Sequence, residues 1–244
     1  KVIMESFLTG EEASYFIIVD KYNFKFFGTA QDHKRVGEGD KGPNTGGMGA
    51  YSPANNITKE VEKKIINRII KPTIQYLNKK KKYFKGFLYA GLMIKNNDPY
   101  LIEYNVRMGD PECQVILPRL KTNLLKIFKF LIKDNLNKIK INWSKEKSMT
   151  IVLCSKGYPY KYKKNFNLNN IKELTNSKKL YTIHAGTKLV NNKIISNGGR
   201  VLNITKLGNS YKVMRKKIIS HIKKISNQNL FFRKDIGWRV INKS

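Results

Sequence analysis

Between Gln31 and Pro53 the chain carries six glycines, Gly37, Gly39, Gly42, Gly46, Gly47 and Gly49, and this stretch constrains the fold more than any other. Glycine opens backbone conformations closed to other residues and lets N–H groups approach an anion closely. It also lowers helix and strand propensity. The stretch therefore reads as a long loop, and a structureless loop of this length inside a compact domain is usually functional. Its ends do not look like a linker: His33-Lys34-Arg35 stands at one and Met48-Gly-Ala-Tyr-Ser-Pro53 at the other. Lys34 and Arg35 supply cations that suit a triphosphate. The spacing does not match GxxxxGK[ST], which excludes a P-loop NTPase.

The loop divides two kinds of pattern. Upstream, Val2–Glu5, Ala13–Val19 and Asn23–Gly28 read as strands, separated by turns at Thr9-Gly10 and Asp20–Tyr22. Downstream, Thr58–Lys82 reads as a helix: Thr58 is placed to cap it, Val61, Ile65, Ile66 and Ile69 form one face, and Pro72 is expected to kink it. Phe87–Ile94 and Pro99–Tyr104 read as an antiparallel hairpin turning at Lys95–Asp98. A polar segment, Asn105–Glu112, follows, and then one amphipathic helix through Ile132. Residues 134–147 are charged, Asn-rich and weakly periodic, which suggests a boundary. Beyond it, Thr150–Cys154, Leu180–Ala185, Lys188–Val190, Lys193–Ser196 and Arg200–Lys206 read as short strands, and Tyr211–Ile225 as a basic helix. The fold class expected is α+β, with domains at 1–140 and 141–244.

Charge is the most conspicuous bulk property: 48 basic against 17 acidic residues, a net +31. A basic protein can bind nucleic acid through counterion release. Here the charge is 40 Lys and only eight Arg, alongside abundant Asn, Ile and Tyr, which is what AT-rich codons supply. The lysines are spread along the chain with one run at Lys79–Lys82, so no specific nucleic-acid partner is expected. Against this background the few Ala and Arg stand out, among them Ala30, Ala50, Arg35, Arg107, Arg200, Arg233 and Arg239. No apolar run approaches the roughly 18 residues of a membrane helix. The first residues lack the apolar stretch of a signal peptide, and Cys113 and Cys154 form no CxxC. The expectation is a cytoplasmic protein with no membrane partner.

Three segments carry chemistry. In Leu101-Ile-Glu-Tyr-Asn-Val-Arg-Met-Gly-Asp-Pro-Glu112, Glu103 and Asn105 share a face if the segment is a strand, and Arg107 continues that face if the strand extends. A carboxylate beside an amide oxygen suits a hard cation such as Mg²⁺, and the arginine suits phosphoryl oxygens. The second segment is the glycine-rich stretch. The third, Glu5-Ser-Phe-Leu-Thr-Gly-Glu-Glu12, is an extended run ending in paired carboxylates.

Together these segments resemble the phosphoribosylamine–glycine ligase (glycinamide ribonucleotide synthetase) family, whose catalytic core is an ATP-grasp fold. The family's Glu-Glu-Phe-Leu-x-Gly-Glu-Glu pattern is matched at Glu5–Glu12, with Ser6 in place of the second Glu. Gln-Asp-His-Lys-Arg is matched at Gln31–Arg35, Gly-Pro-Asn-Thr-Gly-Gly-Met-Gly-Ala-Tyr at Gly42–Tyr51, and Arg-x-Gly-Asp-Pro-Glu at Arg107–Glu112. Further matches lie at His184–Thr187, Gly198–Leu202 and Arg233–Trp238.

The resemblance implies that 1–140 is the second lobe of an ATP-grasp domain, incomplete at its N-terminus, and that 141–244 is the small α+β C-terminal domain. It implies ATP and Mg²⁺ or Mn²⁺ as cofactors, and glycine and 5-phosphoribosylamine as substrates. Under it, the backbone of Glu5, Ser6, Phe7 and Leu8 holds the adenine edge, and Glu12 the ribose. Lys34, Arg35 and Asn44 contact the nucleotide, and Glu103 and Asn105 bind the metal. Arg107 stabilises the transferring phosphoryl group, and Asp110 with Glu112 seats the glycine or the acceptor amine. His33 and His184 are structural or positioning residues. Closure of the glycine-rich loop would exclude water from the acyl phosphate. The family's N-terminal domain and first ATP-grasp lobe are expected upstream of Lys1. The competing expectations are another ATP-grasp carboxylate–amine ligase and a non-catalytic remnant that binds polyanions.

Overall fold

The strands, in chain order, are β1 (Glu11–Val19), β2 (Phe24–Asp32), β3 (Arg35–Gly37), β4 (Lys41–Asn44), β5 (Gly49–Ser52), β6 (Gly86–Lys95) and β7 (Asp98–Asn105), then β8 (Lys147–Ser155), β9 (Leu180–His184), β10 (Thr187–Val190), β11 (Lys193–Ser196), β12 (Arg200–Gly208) and β13 (Leu230–Phe231). The α-helices are α1 (Lys59–Ile65), α2 (Lys71–Lys79), α3 (Cys113–Ile116), α4 (Leu124–Ile132), α5 (Tyr211–Ile222) and α6 (Trp238–Ile241). This computed structural model describes residues 2, 4, 6–168, 171, 177, 179–225 and 228–242. Of the strand expected at Val2–Glu5, Val2 and Met4 lie outside any strand, and Ile3 and Glu5 lie outside the described residues.

The chain divides into two units, each built from three separate segments. The first comprises Lys1–Thr29, Ala54–Met108 and Thr122–Ile141; the second comprises Ala30–Pro53, Gly109–Lys121 and Asn142–Ser244.

The first unit is a sheet in the order β7-β6-β1-β2. β1 pairs antiparallel with β6 from Glu11↔Ile94 to Val19↔Gly86. Odd positions of β1 (Ala13, Tyr15, Ile17, Val19) join Leu88, Ala90, Leu92 and Ile94 of β6 in a core with Val61, Ile65, Ile69, Ile70 and Ile74 of the helical segment. Each Ile, Leu or Val fully buried this way contributes roughly 1.5–3 kcal/mol. Thr58 Oγ accepts from Val61 N–H at 3.2 Å and starts the helix as expected. The kink expected at Pro72 takes a definite form: residues Ile66–Ile70 make a π-helical turn in which the Lys71 N–H reaches Ile66 O. Proline has no N–H to give its fourth-back carbonyl and its ring crowds that carbonyl, so the helix widens just before it. The β6–β7 hairpin turns on Asn96 and Asn97 with φ of 52° and 60°. These are the two left-handed positions of a tight type I′ connection, which Asn tolerates.

The second unit is a sheet in which β2's last residues, β5, β8, β12 and β9 follow in order. Gln31 and Asp32 pair with Tyr51 and Ala50, β5 continues onto β8, and β8 onto β12. Helix α5 packs on β8 and β12, with Tyr211, Met214, Ile218 and Ile222 buried in a core with Ile151, Leu202 and Ile204.

Two expectations change here. The stretch from Gln31 to Pro53 is not a structureless loop. β2 runs through Asp32, β3 and β4 form a hairpin, and β5 occupies Gly49–Ser52. Glycine penalises a strand through entropy and lost side-chain contacts, but pairing on both sides of β5 outweighs that penalty. The single helix expected through Ile132 is broken. After α3, Pro118 begins a single 3₁₀ turn at Leu117–Arg119, Leu120 bridges to Trp143, and a new helix starts at Asn123, whose side chain accepts from Lys126 N–H at 3.0 Å.

Candidate active site

The candidate residues fall on both units. In the first, alternation along β1, β6 and β7 leaves a second sheet face away from the helices. Ser14 lies opposite Gly91, and Gly91 opposite Glu103. One step along, Phe16 lies opposite Tyr89 and Tyr89 opposite Asn105. Glu12, two residues before Ser14, shares this face. Ring stacking of Phe16 on Tyr89 at 4.7 Å and the Ser14 Oγ–Tyr89 Oη bond at 3.1 Å confirm that these positions converge. Asn105 Nδ2 donates to Glu103 Oε1 at 3.0 Å, so the two side chains lie side by side as the period-two spacing requires. A register shift between Gly91 and Leu92 precedes Glu103 on the edge strand, a device that re-aims side chains. A Cβ on Gly91 would sit 3.2 Å from Glu103 Cγ, so glycine there gives the carboxylate side chain its room.

The pair fits a hard divalent cation. Among the described residues no group of three or more His, Cys, Asp or Glu could hold a metal. Mg²⁺ takes one or two protein oxygens and fills its remaining positions with water and phosphate, so the chemistry of a carboxylate and an amide oxygen is compatible with it. Arg107 departs from expectation, because β7 ends at Asn105. Arg107 lies past the strand, exposed, with Nη1 on Met108 O at 3.1 Å. Ser6 and Phe7 are exposed and Leu8 is half-buried, all outside any strand; of the adenine-edge set, Glu5 is not described.

In the second unit Arg35 and Asn44 face each other across the β3–β4 hairpin. Arg35 Nη1 donates to Gly42 O at 2.8 Å. The Lys34 carbonyl receives both the Thr45 N–H at 2.7 Å and the Thr45 hydroxyl at 2.8 Å. The hairpin tip is tethered to the segment Arg233–Arg239. Asp40 accepts from Arg233 at 2.9 Å and Arg239 at 2.6 Å, and Asp235 accepts from Arg233 at 2.6 Å and from Gly39 N–H at 2.9 Å. Arg233 is 1% exposed and also donates to Arg35 O at 2.9 Å. Burial alone would raise the Asp40 carboxyl, but hydrogen bonding from Arg233 and the Arg239 charge hold it below the ordinary carboxylate range. The stretch read as a closing loop is therefore fastened at its tip, and closing by itself would break these bonds.

His33 is structural. Its Nε2 accepts the Gly237 N–H at 3.1 Å, and burial, reinforced by the charges of Arg239 and Arg233, pushes its pKa down to about 3. A histidine depressed on folding stays neutral in the folded state while the unfolded chain takes a proton below the ordinary 6.5. Stability is therefore lost as pH falls through 6.5, and by about 2 kcal/mol between pH 6.5 and 5. Urea midpoints over that range should fall for the wild type and stay flatter for His33→Gln; equal slopes would refute this.

The Gly-Asp-Pro-Glu segment belongs to this unit. Arg200 anchors it: Nη2 pairs with Asp110 Oδ2 at 3.0 Å, and Nη1 donates to Asp110 O at 2.7 Å and to Gly46 O. A Cβ on Gly46 would come within 2.8 Å of the Arg200 guanidinium carbon, so only glycine admits it. Gly47, at φ +109°, presses against Pro111, and a Cβ there would be 2.7 Å from Asp32 Oδ1. Glu112 is buried, at 4% exposure. Burial, and then the Glu112 charge, raise the Asp32 carboxyl well above its ordinary range, opposed by Lys34 and Arg200. Asp32 was not among the sequence-derived candidates, and the chemistry singles it out.

The family model for the phosphoribosylglycinamide synthetase ATP-grasp (A) domain matches residues 1–113, and the model for the C domain of the same enzyme matches residues 148–239. The chain belongs to the phosphoribosylglycinamide synthetase family. It is 46% identical over 241 residues to a phosphoribosylamine–glycine ligase of Agrobacterium fabrum, covering 99% of this chain and 56% of that one. It is 44% identical over 245 residues to a chloroplastic phosphoribosylamine–glycine ligase of Arabidopsis thaliana, covering 99% of this chain and 46% of that one. The structure superposes on the phosphoribosylamine–glycine ligase of Thermotoga maritima with a TM-score of 0.80 at 31% identity, covering 95% of this chain and 56% of that one. The chain thus spans about half the length of the relatives it matches. Among the described residues no helix is long and apolar enough to cross a membrane.

Proposed function

We propose that the chain supplies part of the active site of a phosphoribosylamine–glycine ligase, which uses ATP to join glycine to 5-phosphoribosylamine and yields glycinamide ribonucleotide, ADP and phosphate in purine synthesis. The observation that carries this reading is the single sheet face of the first unit bearing Glu12, Glu103 and Asn105, with Asn105 bonded to Glu103 at 3.0 Å. A carboxylate for ribose hydroxyls and an oxygen pair for Mg²⁺ on one surface suit a bound Mg·ATP. We take 1–140 and 141–244 as the sequence modules of this enzyme, the first completed by the family's N-terminal domain and first ATP-grasp lobe. A cytoplasmic location is part of the same reading.

The reaction begins with attack of the glycine carboxylate on the γ-phosphorus of ATP, giving an acyl phosphate and ADP. The amine of phosphoribosylamine then attacks the acyl carbon, phosphate leaves, and the amide forms. The chain's contribution is positioning and charge. The backbone of Glu5–Leu8 holds the adenine edge and Glu12 the ribose, while Lys34, Arg35 and Asn44 contact the nucleotide. Glu103 and Asn105 would hold Mg²⁺ or Mn²⁺, which would supply neutralisation of phosphate charge. Arg107 supports the transferring phosphoryl group. Glu112 and Asp110 seat the amine-bearing substrate, Asp110 fixed by Arg200.

Glycine-dependent ADP release by the full-length protein, in the presence of phosphoribosylamine and Mg²⁺, tests the reading; no release beyond the glycine-free background would refute it. The 244-residue chain alone is expected to show no turnover, and turnover by it would show that the proposed upstream lobe is not needed.

A further inference from the structure

We propose that Tyr158 is a positioning residue for the ligation: with Arg200, its hydroxyl fixes the backbone of Gly46 and so holds the glycine-rich stretch in line with the Gly-Asp-Pro-Glu segment. This rests on the ligase reading above and deepens it. Glycine-rich backbone can bind an anion through free N–H groups, but here four successive N–H groups are engaged inside the unit. Thr45 N–H donates to Lys34 O at 2.7 Å and Met48 N–H to His33 O at 2.9 Å. Gly47 N–H donates to Thr45 Oγ1 at 3.0 Å, and Gly46 N–H to Tyr158 Oη at 2.9 Å. Three of these acceptors belong to the same stretch of chain. The fourth, Tyr158, comes from 112 positions away, in the turn that follows β8.

Gly46 is therefore gripped on both sides, its N–H by Tyr158 and its carbonyl by Arg200 Nη1. The same guanidinium holds Asp110, through Nη1 on Asp110 O at 2.7 Å and Nη2 on Asp110 Oδ2 at 3.0 Å. Tyr158 is in turn placed by the motif that carries Arg200. Its own N–H donates to Ser155 O at 3.1 Å, closing the turn. Its ring lies against Gly199, where a Cβ would come within 2.3 Å of Cδ2, and Tyr162 meets that ring edge-on at 6.2 Å. Within Gly198-Gly-Arg200, one residue seats the Tyr158 ring and the next grips Gly46. Under the ligase reading, Asn44, two residues before Gly46, contacts the nucleotide, and Asp110 seats the amine-bearing substrate. A shift between the two would misalign the reacting groups while leaving each binding contact largely in place, and a displacement of about 1 Å can cost about 100-fold in rate.

The test uses the full-length protein and initial rates with glycine and ATP varied separately. Tyr158→Phe keeps the ring and removes the hydroxyl. Its kcat should fall about 10- to 100-fold, with both KM values within about threefold of wild type. Gly46 is exposed, so water can take the released N–H and the thermal midpoint should stay in place. Hydrogen exchange at Gly46, followed by mass spectrometry, should speed up by about three- to tenfold, as for one lost hydrogen bond. Arg200→Lys, which cannot hold Gly46 and Asp110 together, should also lower kcat. The double variant should lose less than the product of the two separate losses, because both residues act on Gly46. If Phe at position 158 unfolds the protein, Gly199→Ala, which displaces the ring and retains the hydroxyl, carries the same kcat expectation and decides. A kcat close to wild type, a loss carried by KM alone, unchanged exchange at Gly46 or fully multiplicative losses would overturn the assignment. A wild type without glycine-dependent ADP release takes down the ligase reading and this role with it. An active wild type whose kcat is unmoved in the variants takes down only the role of Tyr158.

Discussion

If Glu103 holds the cation as proposed, replacing it with Gln in the full-length protein is expected to lower kcat/KM for the proposed ligation by on the order of 10²–10³-fold, equivalent to about 3–4 kcal/mol of transition-state stabilisation. Gln keeps an oxygen that can accept the Asn105 Nδ2–H and nearly the same volume opposite Gly91, so the edge strand should be undisturbed. What is lost is one unit of negative charge on a face that also carries Glu12. Because Glu103 is exposed, the thermal midpoint should not move, which separates this effect from unfolding. Part of the activity should return at raised Mg²⁺ concentration, since weaker cation binding can be driven by mass action. Activity within threefold of wild type at limiting Mg²⁺ would remove Glu103 from the metal site.

A second large effect is expected at Arg233, in stability rather than chemistry. Its guanidinium is 1% exposed and bonds Asp40, Asp235 and the Arg35 carbonyl. Arg233→Ala leaves two partly buried carboxylates without their principal partner, a loss of about 3–5 kcal/mol for breaking a buried pair. Chemical denaturation should show that drop. Asp40→Asn combined with Arg233→Met should recover part of it, because replacing both partners removes the stranded charge. A single variant as stable as wild type would mean that Arg239 and solvent compensate fully. The β3–β4 hairpin should also become more open to hydrogen exchange, since its tip depends on these bonds.

Local signals account for most of what could be read in advance. The Thr58 cap, the turn at Asn96-Asn97 and the shared face of Glu103 and Asn105 each depend on residues near one another in sequence, where periodicity and turn chemistry act directly. The contrast of rare arginines against a Lys-rich background also pointed to Arg200, Arg233 and Arg239, though not to their partners. What stayed hidden depends on contacts distant in sequence. The glycines of Gly37–Gly49 look like loop because much of what orders them is distant in sequence: Arg233 and Arg239 hold the tip of the β3–β4 hairpin, and β8 flanks β5. Asp32 carries no local signal, because what sets it apart is burial and then the charge of Glu112, 80 positions away. Arg107 was expected to extend the β7 face, but the strand stops two residues short of it. Pro118, in the 3₁₀ turn Leu117–Arg119, is a local reason, visible in the sequence, for the helix expected through Ile132 to break.

The fastening of the glycine-rich hairpin also sets the order in which the protein can be assembled on the ribosome. Asp40 and Arg233 are 193 residues apart. At 5–20 residues per second, roughly 10–40 s of translation separate them. During that interval the hairpin has its acidic tip but not the arginines that hold it, and β5 has only one of its two flanking strands until β8 emerges. The second unit therefore cannot close around a finished N-terminal half. Its earliest segment must wait, and a nascent chain halted before Arg233 presents that hairpin unfastened to chaperones and proteases.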